Sequence, residues 1–209
     1  KKRCVMCVRR WGLITHSDAD SSTWVRRFMP LIPREGQVLD VACGVGRHAF
    51  ALIEAGYSVY GVDINPQAIL TLENRLAIPR MDGLQTNQRQ NTFEVLDLEL
   101  AVFPSQLQRE QFSGVIITNY LYRPFLVNWL QLLQDQGVFI YETFADGNAQ
   151  FGKPSNPDFL LRENELLDLV LNQEDFSVVA FEQGRVELPK PAIVQRICAV
   201  KHNSIGLQL

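Results

Sequence analysis

Long apolar runs are absent from this sequence. Nothing in its 209 residues approaches the roughly 18 consecutive apolar residues that suggest a membrane span, and Lys1-Lys2-Arg3 leads only into a short, interrupted apolar patch before Arg9-Arg10, too little for a signal peptide. A dominant sign of charge is absent too: 20 Lys and Arg against 23 Asp and Glu leave a formal net charge of -3, with the two signs interspersed. Without a basic face, tight nonspecific binding to a phosphate backbone is not expected, and nucleic acid is set aside as a partner. Cysteine is scarce. Cys4 and Cys7 form a lone C-x-x-C with no second pair at zinc-ribbon spacing, while Cys43 and Cys198 fall in a turn and a strand of the expected core. A disulfide framework is thereby excluded, a zinc site is left short of ligands even with His16, and reduced thiols in a cytoplasmic protein are expected. No metal site is expected. Repeats and low-complexity tracts are missing as well.

What is present is a chain of 46% hydrophobic residues, large enough for one substantial core. From about residue 37, extended and helical patterns alternate, the mark of a parallel sheet covered by helices. Residues 38–42 (VLDVA) read as a first strand between Gly36 and Gly44, and residues 47–55 as a helix stopped by Gly56. Residues 58–63 (SVYGVD) are the second strand, and Asn65-Pro66 opens a helix that runs to about Ile78, before Pro79. A polar loop over residues 80–91 leads to a third strand at 92–96, a short helical piece at 104–110 and a fourth strand at 114–118. Leu126, Leu130 and Leu133 beside Trp129 predict a helix over 124–134, followed by a fifth strand at 138–143 and a loop at 145–157. A further helix passes through Leu166, Leu167, Val170 and Leu171. Residues 176–181 and 193–200 are both strand-like with no helical pattern between them, so they should pair antiparallel, because a parallel pair needs a crossover. Residues 1–35 are expected to form an N-terminal cap segment on a domain spanning 36–209.

The densest signal is VLDVACGVGRH at residues 38–48, an apolar strand running into two glycines one residue apart and then into a helix. Glycine at 44 and 46 lets the chain turn tightly and lets a ligand approach the main chain with no Cβ in the way. Asp63 ends the second strand, where a carboxylate can accept both hydroxyls of a ribose. NAD-binding domains use nearly the same turn, and Gly44-Val45-Gly46-Arg47-His48-Ala49 fits their looser form. Three features point elsewhere: Asp40 sits inside the strand, placed to take a cationic amino group; Asp97-Leu98 ends the third strand, beside where an adenine would lie; and the C-terminal strand pair is unlike a dinucleotide fold.

LDVACGVGRHAF, YGVDINP, FEVLDLE and GVIITNYLYRP, in that order, resemble the successive motifs of class I S-adenosylmethionine-dependent methyltransferases over roughly residues 36–200. Within that superfamily the GxGR turn and the stretch KPSNPDFLL are similar to the tellurite-resistance-type methyltransferases. The resemblance implies an α/β, three-layer Rossmann-like sandwich whose seven-stranded sheet is mostly parallel with an antiparallel last strand, and S-adenosylmethionine as cofactor. It implies that Gly44 and Gly46 pass along the methionine part, with Asp40 or a backbone carbonyl such as that of Ala42 holding its amino group. Asp63 would bind the ribose and Ile64 pack on the adenine. Asp97 and Leu98 would meet the exocyclic amine and a ring nitrogen, and Asn119 would face the reacting methyl. Plainer roles compete: Asp40 orienting the loop backbone, Asp97 capping a helix, Ile64 as ordinary core.

Methyl transfer from a sulfonium is an in-line displacement that positioning and desolvation can accelerate, so no nucleophilic residue is required, and a base only if the acceptor is protonated. Tyr120 and Arg123, on the loop after the fourth strand, are the candidate catalytic residues on the acceptor side, where ligands bind in open α/β sheets; a structural role is the alternative for both. His48 should lie near the cofactor carboxylate, and Glu142 and Thr143 reach the same crevice. Asp146, Asn148 and Lys153 lie on a loop with the character of a lid, and residues 15–24 with Trp11 or Trp24 form a candidate cover. Asn119-Tyr120 lacks both prolines of the [DN]-P-P-[YFW] motif of amino-methylating nucleic-acid enzymes, and no Pro-Cys follows strand four or five. The expected acceptor is a small molecule. Two other functions remain open on sequence: an NAD-dependent oxidoreductase, and a nucleoside-binding regulatory domain without chemistry. Nothing in the sequence speaks to oligomeric state.

Overall fold

Neighbouring residues on each central strand go to opposite faces of the sheet, as period-two side chains must when both faces are covered. In the computed structural model, which describes residues 21–77 and 91–202, Val38, Val59, Ile116, Val138 and Cys198 belong to one buried cluster, and their neighbours Leu39, Tyr60, Ile117, Phe139 and Ile197 to the other. The strands are β1 (Gln37–Val41), β2 (Ser58–Asp63), β3 (Thr92–Val95), β4 (Phe112–Thr118), β5 (Leu133–Phe144), β6 (Phe176–Val186) and β7 (Ala192–Lys201). They form one seven-stranded sheet in the order β3-β2-β1-β4-β5-β7-β6. β1 to β5 pair in parallel, and β7 is antiparallel to both β5 and β6. One reversed strand therefore sits inside an otherwise co-directional sheet, the α/β sandwich expected.

The helices are α1 (Thr23–Phe28), α2 (Arg47–Glu54), α3 (Pro66–Ala77), α4 (Leu126–Gln131) and α5 (Glu165–Leu171). α1, α2 and α3 place Trp24, Val25, Phe28, Ala49, Leu52, Ile69 and Leu72 on one face; α4 and α5 place Leu126, Trp129, Leu130, Leu166 and Val170 on the other. Six residues suffice for α1 because Ser22 caps it, accepting from the Trp24 amide at 3.1 Å, and because Trp24, Val25 and Phe28 all face the core. Trp24 is 2% exposed and packs edge-on against Phe28 at 4.6 Å, so it is core, not a cover over a ligand.

The chain leaves the sheet centre at β1, moves outward through β2 and β3, then returns to β4 on the other side of β1. That reversal opens a crevice at the carboxyl ends of β1 and β4, where open α/β sheets bind ligands. Two expected elements are corrected. The helical piece at 104–110 is a pair of turns: one apolar residue, Leu107, gives too narrow a face to bury a helix, and Glu110 has φ 54°. The helix over 124–134 is shorter, beginning after a 3-10 turn at Arg123–Phe125 and ending at Gln131, because Leu133 already pairs with Phe112 as the start of β5. The loop expected at 80–91 falls almost wholly outside the described residues, as do Cys4, Cys7, Trp11 and His16.

Candidate active site

The glycine turn is shaped by the chain's own contacts. Ala42, Gly44 and Gly46 have φ of 54°, 55° and 85°, left-handed positions that glycine adopts without strain and Ala42 holds at a cost. A Cβ on Gly46 would come within 2.6 Å of Leu72 Cδ1, so α3 packs directly on the turn. A Cβ on Gly44 would meet nothing within 4 Å, so that side of the turn faces open space. Asp63, at the end of β2, ties the arrangement together: its Oδ2 accepts from the Gly44 amide at 2.8 Å and its Oδ1 from the Asn65 amide at 2.8 Å. Ile64 follows, 38% exposed, on the same rim.

Asp40 lies beneath the turn. It is 1% exposed, and neither carboxylate oxygen has a hydrogen-bond partner. Burial pushes its pKa up to about 7; the nearby Ala49 amide and Arg47 guanidinium oppose the rise and the Asp63 charge adds to it. A buried carboxylate without partners is costly, and one beside an open glycine turn fits a cationic ligand group. The same burial, helped by Asp40 and Asp63, pushes the Cys43 thiol up and leaves it un-ionised.

His48, on the first turn of α2, is 3% exposed, and burial followed by the Arg47 charge lowers its pKa to about 3. A neutral ring has one donor and one acceptor. Its Nε2 accepts from the Ser22 amide at 3.3 Å, which assigns the proton to Nδ1, 3.4 Å from Thr118 Oγ1. Both nitrogens are thus held in place, one by the segment before α1 and one by the end of β4.

Around the crevice, Asp97 Oδ1 accepts from the Glu99 amide at 2.9 Å, fixing the turn after β3, while the Leu98 side chain is buried and its carbonyl accepts from Tyr120 Oη at 3.2 Å. Asn119 is exposed with φ 54°, its amide bonded to the Glu142 carbonyl at 3.0 Å, so it stands at the mouth of the crevice beside β5. The structure brings Asp40, Ala42, Gly44, Gly46, Asp63 and Ile64 to one rim and Asn119 to the adjoining strand end. Tyr120 is turned inward, 4% exposed. Arg123 faces the segment before α5: its Nε and Nη2 grip both Glu165 oxygens at 2.7 and 2.9 Å, and Nη1 and Nη2 donate to the Asp158 and Leu160 carbonyls at 2.8 and 2.6 Å. Asn148, 1% exposed, is bonded to the Pro154 carbonyl and the Ile193 amide, which makes it a brace within its loop.

The Arg123 pair carries a stability prediction. Burial works to raise the Glu165 pKa, but the Arg123 hydrogen bonds, the Arg162 amide and the charges of both arginines together outweigh it, and the net shift is downward. The pair's contribution is therefore full above the unfolded carboxyl pKa and lost as pH falls through the lower folded value. Arg123→Ala would strand a mostly buried carboxylate and should destabilise by about 2 kcal/mol at neutral pH, read as a lower urea midpoint, with the deficit shrinking in acid.

Sequence reasoning did not foresee the polar row on the α1 face of the sheet. Thr118, Glu142, Arg196 and Glu182 are register neighbours across β4, β5, β7 and β6. Glu142 Oε1 accepts from Ser22 Oγ at 2.8 Å, Arg196 lies 3.3 Å from Glu142 Oε2 and 3.4 Å from Glu182 Oε2, and the Arg196 guanidinium sits over Trp24 at 5.4 Å. Only strand register aligns these four, and register between distant strands leaves no local mark in sequence. Among the described residues no group of three or more His, Cys, Asp or Glu side chains is arranged to hold a metal, and no helix is long and apolar enough to cross a membrane.

The fold is an open α/β sandwich, and its buried acid and bare turn fit S-adenosylmethionine. A sequence profile described as a methyltransferase domain matches residues 38–136. That match takes in a little under half of the chain, and over it the chain is similar to methyltransferase domains. Its fold is similar to an S-adenosylmethionine-dependent methyltransferase of Methanosarcina mazei, with TM-score 0.64 and 17% identity over 88% of this chain and 99% of that one. It is also similar to TehB of Haemophilus influenzae, a tellurite-resistance methyltransferase, with TM-score 0.64 and 17% identity over 86% of this chain and 61% of that one. In sequence it is 28% identical over 65 residues to YqeM of Bacillus subtilis, assigned as a methyltransferase; the match spans 31% of this chain and 26% of that protein.

Proposed function

We propose that the protein transfers a methyl group in line from S-adenosylmethionine to a small-molecule acceptor. The observation that carries this reading is Asp40: a fully buried carboxylate with both oxygens unpartnered, directly under a glycine turn whose open side admits a ligand. When bound, the cofactor supplies a sulfonium-activated methyl; the chain's own residues bind, orient and exclude water. Asp40 and the Ala42 carbonyl receive the amino group, with Gly44 and Gly46 baring the main chain along the methionine part. Asp63 keeps lone pairs free for the ribose while holding the Gly44 amide, and Ile64 covers one face of the adenine, with Asp97 and Leu98 at its edge. Asn119 faces the crevice from the end of β4.

Tyr120 and Arg123 shape the acceptor side as positioning residues: Tyr120 pins the β4 loop to Leu98, and Arg123 fastens that loop to the segment before α5. Neutral His48 orients Ser22 and Thr118 and takes no proton near pH 7. Residues 1–35 act as a cap on the domain of 36–209, with Trp24, Phe28 and Ile32 already in its core. The charge balance and lack of an apolar span favour the cytoplasm.

The alternative of a nicotinamide-dependent oxidoreductase shares the turn but gives no role to a buried, unpartnered Asp40. Titration calorimetry separates the two. S-adenosylhomocysteine should bind in the micromolar range or tighter and NADH should not; preferential NADH binding would end the methyltransferase reading. Label transfer from methyl-tritiated cofactor into small-molecule extract should follow, and binding without any transfer would favour a regulatory domain.

A further inference from the structure

Folding leaves the Asp40 carboxyl with nothing to bond. Both oxygens are buried without a hydrogen-bond partner beneath the glycine turn. The register neighbours of Asp40 are Gly61 on β2 and Ile116 on β4, neither of which titrates. Burial alone would therefore keep a proton on this group, because an ion in such surroundings has neither water nor a donor to stabilise it. The charged groups around it do not reverse that: burial prevails over the Ala49 amide and the Arg47 charge on α2, the Asp63 charge at the end of β2 reinforces it, and the pKa stands at about 7. The remaining titratable neighbours are silent near neutrality. Cys43 in the turn is held un-ionised by burial and by the two acids, and His48 on α2 is neutral because burial and then Arg47 bring its pKa down to about 3.

The ligand expected at this end of the crevice brings what the chain withholds. The amino group of an amino-acid moiety is a cation below about pH 8, and a cation set beside a buried carboxyl favours its ionised form. We propose that cofactor binding is coupled to the ionisation of Asp40: the incoming ammonium drives the carboxyl proton out to solvent, so acid weakens occupancy of the crevice. The coupling rests on the cofactor reading above and adds to it a regulation by pH. The step balances. A neutral carboxyl and an ammonium become a carboxylate and an ammonium; the carboxyl O–H bond breaks, its electron pair stays on oxygen, the proton passes to buffer, and nothing is oxidised or reduced. The sign follows from the free protein. Below about 7 it carries the proton that binding must remove, so the dissociation constant should rise about tenfold for each unit of falling pH; from there to about pH 8 the affinity should level off.

Titration calorimetry of the full chain with S-adenosylhomocysteine, run in two buffers of unlike ionisation enthalpy, counts the protons. About 0.9 proton should leave per ligand bound at pH 6, and about 0.1 at pH 8. Methylthioadenosine, which keeps the adenosine and the thioether but lacks the amino group, should bind with no proton released. Asp40→Asn should release none with S-adenosylhomocysteine. No release from wild type at pH 6, equal release with methylthioadenosine, or persistent release in Asp40→Asn would each overturn the coupling. A wild-type chain that binds no S-adenosylhomocysteine at either pH would instead overturn the cofactor reading beneath it. If Asp40→Asn binds too weakly to titrate, infrared difference spectra of the wild type decide: the C=O stretch of a protonated carboxyl should vanish when S-adenosylhomocysteine is added at pH 6, and its persistence would refute the coupling.

Discussion

Asp40→Asn should give a more stable apoprotein above neutral pH and a damaged cofactor site, two opposite effects from one atom exchange. The unfolded chain ionises this carboxyl near 3.8, whereas the folded protein keeps its proton until about 7. Between those values the folded state binds more protons than the unfolded state, so the stability of the apoprotein falls as pH rises. The accumulated cost above pH 7 is roughly 4 kcal/mol, and an asparagine, which does not titrate, escapes it. Its amide inherits a site without partners, but a neutral amide is far cheaper to bury there than an ion. The advantage of the variant should be small below pH 4 and grow to about 10 °C in melting temperature above pH 7.

His48 titrates in the opposite sense. Its folded pKa lies near 3, against an ordinary 6.5, because burial and then the Arg47 charge disfavour the cation, so the folded protein refuses a proton that the unfolded chain takes up. That contribution is complete above 6.5 and disappears as pH falls toward 3. Over the shared range the two slopes oppose each other, and the wild-type contribution from this pair should be nearly flat. Thermal melts from pH 4 to 8 on both proteins check the pair of effects. A stability difference that does not change with pH would show that Asp40 is not the buried proton carrier described here.

Asp63→Ala should weaken S-adenosylhomocysteine binding at least about 100-fold while leaving the fold intact. Charge-assisted hydrogen bonds contribute about 1.5–3 kcal/mol each, and a ribose would lose two. The structure adds a second reason, because the same carboxylate holds the Gly44 and Asn65 amides, so alanine also slackens the turn the cofactor lies on. Asp63→Asn, which retains one acceptor oxygen, should fall between the two. Calorimetry on folded protein, with circular dichroism as the folding control, is the measurement; unchanged affinity would remove Asp63 from the ribose site.

The sheet was legible because its signals are local. A β-branched and aromatic run marks β2 to the residue, and the absence of a helical pattern between residues 181 and 193 announces the antiparallel pairing of β6 with β7. Where boundaries moved, tertiary pairing had overridden local pattern: β5 begins at Leu133 because Phe112 offers it a partner, and β6 extends to Val186 through Gly184 because β7 lies beside it. The glycine turn and the acids around it were readable for a similar reason, since Asp40, Gly44, Gly46 and Asp63 lie on consecutive strand ends and their spacing follows from the fold. The surroundings of Tyr120 and Arg123 were not. Tyr120 and Arg123 look reactive in sequence, and only folding turns the Tyr120 hydroxyl to Leu98 and engages the Arg123 guanidinium with Glu165. Glu142 was legible only as a strand end near the crevice and Arg196 not at all, because what unites them is a shared level on strands that meet only after folding.

The bond from Asp63 to the Gly44 amide also bears on the speed of recognition. A turn already held open by its own neighbour need not be ordered by an incoming nucleoside, so encounter and docking can merge into a single step.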